Sequence, residues 1–316
     1  MVDKNQQIAV IGAGLMGHGI ALTLARAGQQ VAITDPVAEA RATVADRIAA
    51  SLRALGEAET AIPAMLRRIT ICDSTPGAVR DARVVFEAAP EKLELKQAIF
   101  AEVEAHAPRD CVLASNTSVM PITQIMSKLS DGSRALGTHW WNPAHMIPLV
   151  EVVRTDDTTD AAMELMMDLL HDAGKTPVRV EKDVPGFIGN RMQHALWREA
   201  ISMVEHGICD AEAVDTVVKS CFGRRLAVLG PLENADLVGT DLTLDIHNQV
   251  LADLDRRPGP SPYLEQLVAE GRLGMKSGQG FRSWTEQEAQ ETRDRVGRHL
   301  QRLPGILDDA PEDKTS

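Results

Sequence analysis

An apolar run, Ile8-Ala9-Val10-Ile11, leads without a break into Gly12-Ala13-Gly14-Leu15-Met16-Gly17 and then into a helix-forming stretch from Ile20 to Ala27. Strand, glycine turn and helix in that order leave few folds open. Gly12 permits the tight turn, Gly14 lets backbone approach a pyrophosphate, and Gly17 lets helix and strand pack closely, with phosphates placed on the unpaired N–H groups of the helix start. Gly28 stops the helix, a second strand Val31 to Thr34 follows, and Asp35 stands at its end. That is about 20 residues past the glycines, where a carboxylate accepts from a ribose 2′-hydroxyl and would repel a 2′-phosphate. An ordinary βαβ unit with a glycine-rich turn has no use for Asp35. The pattern therefore predicts a dinucleotide site for NAD rather than NADP.

Downstream, helices are expected from after Pro36 to about Leu55 and from Ala58 to Arg67, then a strand Ile69 to Cys72. Strand and helix alternate from there: Val84 to Phe86, Leu93 to His106, Cys111 to Ala114 and Pro121 to Leu129. This alternation marks an α/β fold with a doubly wound, mostly parallel sheet. Ala135 to His139 and Leu149 to Val153 are separated by only nine residues, too few for a helical crossover, so they are expected to run antiparallel at the sheet's edge. A helix Asp160 to Ala173 and a last strand Pro177 to Val180 complete the pattern. After Asp183-Val184-Pro185-Gly186 only helical patterns follow, broken by Gly207, Gly223, Gly230-Pro231 and Pro258-Gly259-Pro260, and ending in an acidic tail from about Leu307 that is expected to be disordered. Two domains are expected, 1–184 and 185–316.

A formal net charge of −12 over 316 residues argues against nucleic acid as a partner, since that binding rests on Lys and Arg neutralising phosphates. Cys72, Cys111, Cys209 and Cys221 show neither CxxC spacing nor a Cys/His pairing, so no metal site and no disulfide framework is expected. The polar start, Met1 to Gln7, and the lack of any long apolar run point to a cytoplasmic protein without a membrane segment.

A nicotinamide enzyme acting on an alcohol needs a base, a group that orients the base, and donors for the reacting oxygen. His139 ends one strand and Glu151 sits mid-way along the next, so across an antiparallel pair the carboxylate can accept one imidazole N–H and leave the other nitrogen free. Considered alone, His139 is more often a structural histidine; its place at the carboxyl end of a strand favours the functional role. Ser115-Asn116-Thr117-Ser118 ends another strand and offers hydroxyl and amide donors, or a simple helix cap before Pro121. Asn190 either reaches back into the cleft or caps the helix that follows.

These residues resemble, in order, the motifs of the L-3-hydroxyacyl-CoA dehydrogenase family: Gly12 to Gly17 with Asp35, Glu87-Ala88-Ala89-Pro90-Glu91, Ser115 to Ser118, His139-Trp140-Trp141-Asn142-Pro143, Leu149 to Val153, Gly186-Phe187-Ile188-Gly189-Asn190-Arg191 and Lys276-Ser277-Gly278-Gln279-Gly280-Phe281. The resemblance spans nearly the whole chain. It implies NAD-dependent oxidation of a 3-hydroxyacyl compound to the 3-keto form, with His139 as base, Glu151 as its partner, and Ser118 and Asn190 on the substrate oxygen. It also places Glu91, Lys96, Asn116, Asn142 and Lys276 around the cofactor, beside Gly12, Ala13, Gly14, Leu15, Met16, Gly17 and Asp35. An all-helical second domain used for homodimerisation is implied as well.

The chain departs from the family where substrate is concerned. Trp140 and Trp141 stand where fatty-acyl enzymes usually carry phenylalanines, and the helical stretch after the second strand offers only scattered Arg47, Ser51, Arg53, Arg67 and Arg68 where those enzymes often place lysines and a serine for CoA phosphates. A CoA thioester remains slightly ahead, by resemblance, of a free hydroxy-carboxylate or an aromatic alcohol carboxylate stacked on Trp140 or Trp141. His18 is read as surface. A non-catalytic NAD-binding protein, of the kind lens crystallins illustrate, is the rival of another class, and it would need none of His139, Glu151, Ser118 and Asn190.

Overall fold

The computed structural model describes residues 7–308, so most of the expected acidic tail lies outside the described residues. The chain divides into two compact units, one up to Arg191 and the other from Met192. The first is built as β1 (Gln7–Ile11), α1 (Leu15–Arg26), β2 (Gln30–Thr34), α2 (Ala38–Ala54), α3 (Ile62–Leu66), β3 (Ile69–Ile71), α4 (Thr75–Val79), β4 (Ala82–Glu87), α5 (Leu93–His106), β5 (Val112–Ser115), α6 (Ile122–Met126), β6 (Ala135–Trp140), β7 (Leu149–Arg154), α7 (Asp160–Asp172) and β8 (Thr176–Val180).

Its eight strands form one sheet in the order β3-β2-β1-β4-β5-β6-β7-β8. The strands from β3 to β6 are parallel, β7 runs antiparallel to β6, and β8 runs parallel to β7. The β6/β7 pair is thus antiparallel as expected but is not the edge, because β8 pairs along the far side of β7. Both faces are covered by helices, and one apolar cluster lies on each side. This explains why β1, β4 and β5 read as continuous apolar runs and not as alternating ones. Strand order reverses between β1 and β4, and the crevice at the carboxyl ends there is where such folds bind ligands.

Two local readings change. Helix α1 begins at Leu15, inside the glycine run, because Gly17 and Gly19 are buried helix residues whose packing overrides their low propensity. A Cβ on Gly17 would sit 1.7 Å from the Gly12 carbonyl oxygen. Helix α4 was hidden by Pro76-Gly77; the proline lies in its first turn, and the Ser74 hydroxyl caps the start by accepting from the Gly77 N–H at 3.3 Å.

Helix α8 (Gly189–Glu205) begins in the first unit and runs on into the second, which continues with α9 (Ala211–Ser220), α10 (Pro231–Val238), α11 (Thr240–Val250), α12 (Pro262–Ala269) and α13 (Glu286–Asp308), with 3-10 turns at Phe222–Arg224 and Met275–Ser277. Asp210 and Ser261 cap α9 and α12 with their side-chain oxygens. Among the described residues no helix is long and apolar enough to cross a membrane.

Candidate active site

The glycine turn fits a dinucleotide. Gly12 has φ of 106°, and a Cβ there would lie 2.7 Å from the Ala88 carbonyl oxygen, so only glycine fits between the β1 and β4 ends. At Gly14, the N-cap of α1, an added Cβ would meet nothing within 4 Å, which leaves the helix start open to a phosphate. Asp35 holds this loop: its carboxylate accepts from Ala13 N and from Val37 N, each at 2.8 Å.

Arg47, reaching over from α2, donates to the carbonyls of Ala13 at 2.6 Å and Ala40 at 3.0 Å, and Arg53 pairs with Glu59 at 2.7 Å. Both arginines are therefore engaged within the protein. His18 is buried, which corrects its reading as surface: Nδ1–H donates to the Gly14 carbonyl at 3.1 Å and Nε2 accepts from the Ser51 hydroxyl at 3.3 Å. Burial pushes its pKa below the ordinary imidazole range, outweighing the opposing bond to Gly14.

His139 and Glu151 face each other directly in the β6/β7 register. His139 Nδ1 lies 2.7 Å from Glu151 Oε2, with both side chains buried. The other carboxylate oxygen accepts from the backbone N–H groups of Ile188 at 2.8 Å and Gly189 at 2.9 Å. Those two N–H groups are aimed by successive left-handed residues, Gly186 at φ 77° and Phe187 at φ 50°, the latter a rare conformation for an aromatic residue. Burial by itself would raise the Glu151 pKa; the bonds from His139, Gly189 and Ile188 more than reverse this and hold it below the usual carboxylate range. An ionised Glu151 can only accept, so in the neutral tautomer of the ring Nδ1 carries the proton and Nε2 presents the lone pair.

The wall around the imidazole is aromatic. Trp141 lies 4.9 Å and Phe187 5.7 Å from it, centroid to centroid. Gly189 is required by Trp141, since a Cβ would approach its ring to 2.4 Å. Trp140, by contrast, is buried in the core edge-on to Phe86, so the expectation that a substrate could stack on it does not hold.

Asn116, Ser118 and Asn190 converge on the same end of the sheet. The Asn116 side-chain oxygen accepts from Trp140 N at 2.9 Å, and the Asn190 amide donates to the Ser118 carbonyl at 2.8 Å. Glu91 accepts from Ser118 N at 2.6 Å and from the Thr117 hydroxyl. Lys96 is buried and its ammonium binds Glu87 at 2.7 Å and the Ala89 carbonyl at 3.1 Å. Asn142 is exposed on the loop after β6, and Lys276 is exposed on a 3-10 turn of the second unit.

Two features escaped sequence reasoning. Glu87 ends an otherwise apolar strand, and its place at the head of the Glu87 to Glu91 motif gives no sign of the buried lysine it meets. Lys175 is buried beneath the loop after β6, donating to the carbonyls of Ala144 at 2.5 Å and Ile147 at 2.9 Å, and burial lowers its pKa to about 8. His145 on that loop packs 5.9 Å from His18, and burial, with the His18 and Lys175 charges, lowers its pKa to about 4.

A family model described as the 3-hydroxyacyl-CoA dehydrogenase NAD binding domain matches residues 7–184, and the model of that family's C-terminal domain matches residues 186–284. The chain belongs to the 3-hydroxyacyl-CoA dehydrogenase family. It is an NAD-dependent oxidoreductase acting on CH–OH groups, as the glycine turn and Asp35 predict. Within this family it is 35% identical over 310 residues, 96% of this chain and 98% of the relative, to the 5-formyl-3-hydroxy-2-methylpyridine 4-carboxylate 5-dehydrogenase of Mesorhizobium japonicum. It is 36% identical to the probable 3-hydroxybutyryl-CoA dehydrogenase of Bacillus subtilis, over 89% of this chain and 98% of the relative. Among solved structures, a 5-formyl-3-hydroxy-2-methylpyridine 4-carboxylic acid 5-dehydrogenase, described as an NAD+ dependent dismutase, aligns with TM-score 0.88 at 32% identity, covering 96% of this chain and 99% of the other. The (S)-3-hydroxybutyryl-CoA dehydrogenase of Ralstonia eutropha aligns with TM-score 0.75 at 30% identity, covering 89% and 99%.

Proposed function

We propose that His139 is the general base of this dehydrogenase and that the substrate is a hydroxy-carboxylate carried free, with a flat ring that lies against Trp141. NAD, when bound, supplies the hydride acceptor. His139 Nε2 takes the hydroxyl proton, Glu151 fixes the tautomer and balances the imidazolium that forms, and the Ser118 hydroxyl and Asn190 amide hold the oxygen. Gly12 to Gly17, Asp35, Asn116 and Asn142 border the cofactor, while Glu91 and Lys96 act behind them.

The observation that carries the substrate reading is the Trp141 ring beside His139. An aromatic face offers stacking to a planar substrate, worth about 0.5–1.5 kcal/mol beyond area burial. Arg47 and Arg53 supply no support for CoA, because their guanidinium groups are bound to the glycine turn and to Glu59. Support also comes from the pyridine carboxylate dehydrogenase that matches over nearly the full length of both chains. The decisive experiment is turnover with NAD on a panel holding 3-hydroxybutyryl-CoA, aliphatic hydroxy acids and hydroxymethyl-pyridine carboxylates. Turnover confined to the aromatic acids is expected. Turnover on the thioester alone restores CoA to first place, and tight NADH binding with no turnover on any of them favours the non-catalytic rival.

The division at residues 184 and 185 is proposed as a functional one, with the glycine turn and the His139/Glu151 pair before it and, past the short stretch that carries Ile188 to Asn190, homodimerisation after it. Exposed leucines on α10 and α11 support a second copy of the chain as their cover. Four free thiols fit a cytoplasmic location.

A further inference from the structure

Glu87 closes β4 with a fully buried carboxylate that has no part in the proton chemistry. One oxygen accepts from Lys96 Nζ and from Ala89 N, each at 2.7 Å, and the other accepts from the Ser115 hydroxyl at 2.6 Å. Lys96 is 1% exposed; it also donates to the Ala89 carbonyl at 3.1 Å and faces Glu91 at 3.6 Å. An ammonium has three N–H donors, and here three protein oxygens surround it. Lys96 therefore acts through its charge and its neighbours.

The place of this pair matters. In the sheet register Glu87 lies between Ile11 of β1 and Ser115 of β5, so it sits under both the glycine turn and the turn that carries Asn116 to Ser118. Burying two charges carries a desolvation penalty of several kcal/mol per ion, and well-packed apolar residues would hold a strand end as well. A charge beneath the turns that would hold a dinucleotide has one effect no apolar residue reproduces. The nicotinamide ring is cationic when oxidised and neutral when reduced, so a nearby charge discriminates between the two forms.

We propose that Glu87 is the counter-charge that sets the site's preference between oxidised and reduced dinucleotide: it cancels the buried Lys96 ammonium at the carboxyl ends of β1, β4 and β5, so that the cationic ring of NAD+ is not repelled. Glu87 is then a positioning and charge-balancing residue that touches neither substrate nor cofactor. The inference requires only that NAD is the cofactor, and it stands whatever the substrate or base.

The test is equilibrium binding to the full-length protein without substrate, NADH followed by its fluorescence and NAD+ by calorimetry. With Glu91 still facing Lys96, each single substitution changes the net charge of the cluster by one unit, which within a Debye length and through an effective dielectric of about 20 shifts the ratio Kd(NAD+)/Kd(NADH) roughly tenfold. Glu87→Gln should raise that ratio, Lys96→Met should lower it, and the double variant should return it to within about threefold of the starting value. Lys96→Arg keeps the charge and should keep the ratio. If Glu87→Gln does not fold, the Lys96→Met and Lys96→Arg pair decides. A ratio that stays constant while both affinities fall, or that moves in the same direction for the Glu87 and Lys96 changes, overturns the proposal.

Discussion

In the first unit Val10, Ile33, Phe86 and Leu113 have no exposed surface, whereas in the second α10 and α11 leave Leu232, Leu237 and Leu244 exposed by 80%, 72% and 61%. From Met192 onward the buried hydrophobic residues among those described are Leu267 and Ala289. At about 1.5–3 kcal/mol for each large apolar side chain removed from water, the first unit has what it needs to stand by itself and the second does not. Polar residues tell the same story. Glu151, Glu87 and Lys96 are buried and satisfied in the first unit, while the charged centre of the second, Arg257 forked between Glu205 and Asp255, is half-buried. One unit buries its apolar and charged groups; the other leaves large apolar side chains on its surface.

The contrast breaks first at Glu151. Glu151→Ala leaves the His139 ring and the Ile188 and Gly189 N–H groups without their acceptor, at about 1–3 kcal/mol for each stranded group. Thermal unfolding should show a loss of several kcal/mol, with Glu151→Gln much milder because an amide oxygen still accepts. A loss below about 1 kcal/mol would mean the first unit tolerates what its geometry says it cannot.

Next, Leu237→Glu combined with Leu244→Glu puts charge on the exposed apolar faces of α10 and α11. If the proposed homodimer forms through these faces, light scattering should show the unaltered protein as a dimer and the variant as a monomer, with NADH affinity changed less than about threefold. A variant that remains dimeric would place the interface elsewhere.

Gly189→Ala comes third. The new methyl meets the Trp141 ring, an overpacking worth about 1–3 kcal/mol. Trp141→Phe should relieve part of it, and a double-mutant cycle by denaturant unfolding measures the coupling. Additive effects would refute the contact.

The smallest effect is expected at Arg257, where the ion pairs are half-buried and still reached by solvent. Its side-chain bond holds Asp255 at about 2. A lowered carboxylate stabilises the fold above the ordinary Asp value of about 3.9, and that contribution is lost as pH falls through about 2. Arg257→Ala should return Asp255 toward its ordinary range, so that acid unfolding followed by circular dichroism begins at higher pH. An unchanged onset would remove the cluster from the stability of the second unit.

Much of this was legible in the chain because the first unit obeys local rules. Glycines at fixed offsets, apolar runs between stops and a short link between the strands carrying His139 and Glu151 locate the cleft, the antiparallel pair and the facing side chains. What escaped was decided by packing. His18 reads as surface because a polar residue after the glycines gives no sign of the Ser51 hydroxyl and Gly14 carbonyl that bury it. Trp140 and Trp141 are indistinguishable as neighbours in sequence, yet alternation along β6 sends one into the core, and the strand's end leaves the other beside the base. Arg47 resembles a surface cation until the Ala13 carbonyl is seen beneath it. The second unit showed its helices through their glycine and proline breaks, but no pattern within one chain names what covers an apolar face.

The central claim is that His139 moves the proton while the glycine turn and Asp35 hold the dinucleotide independently of it. It is tested most directly by His139→Gln in the full-length protein, with turnover and the NADH dissociation constant measured on one preparation. General-base catalysis is worth about 10²–10⁴-fold, so kcat should fall by that factor while NADH affinity changes less than about threefold. Turnover within about threefold of the unaltered enzyme, or NADH affinity lost along with turnover, would contradict the account.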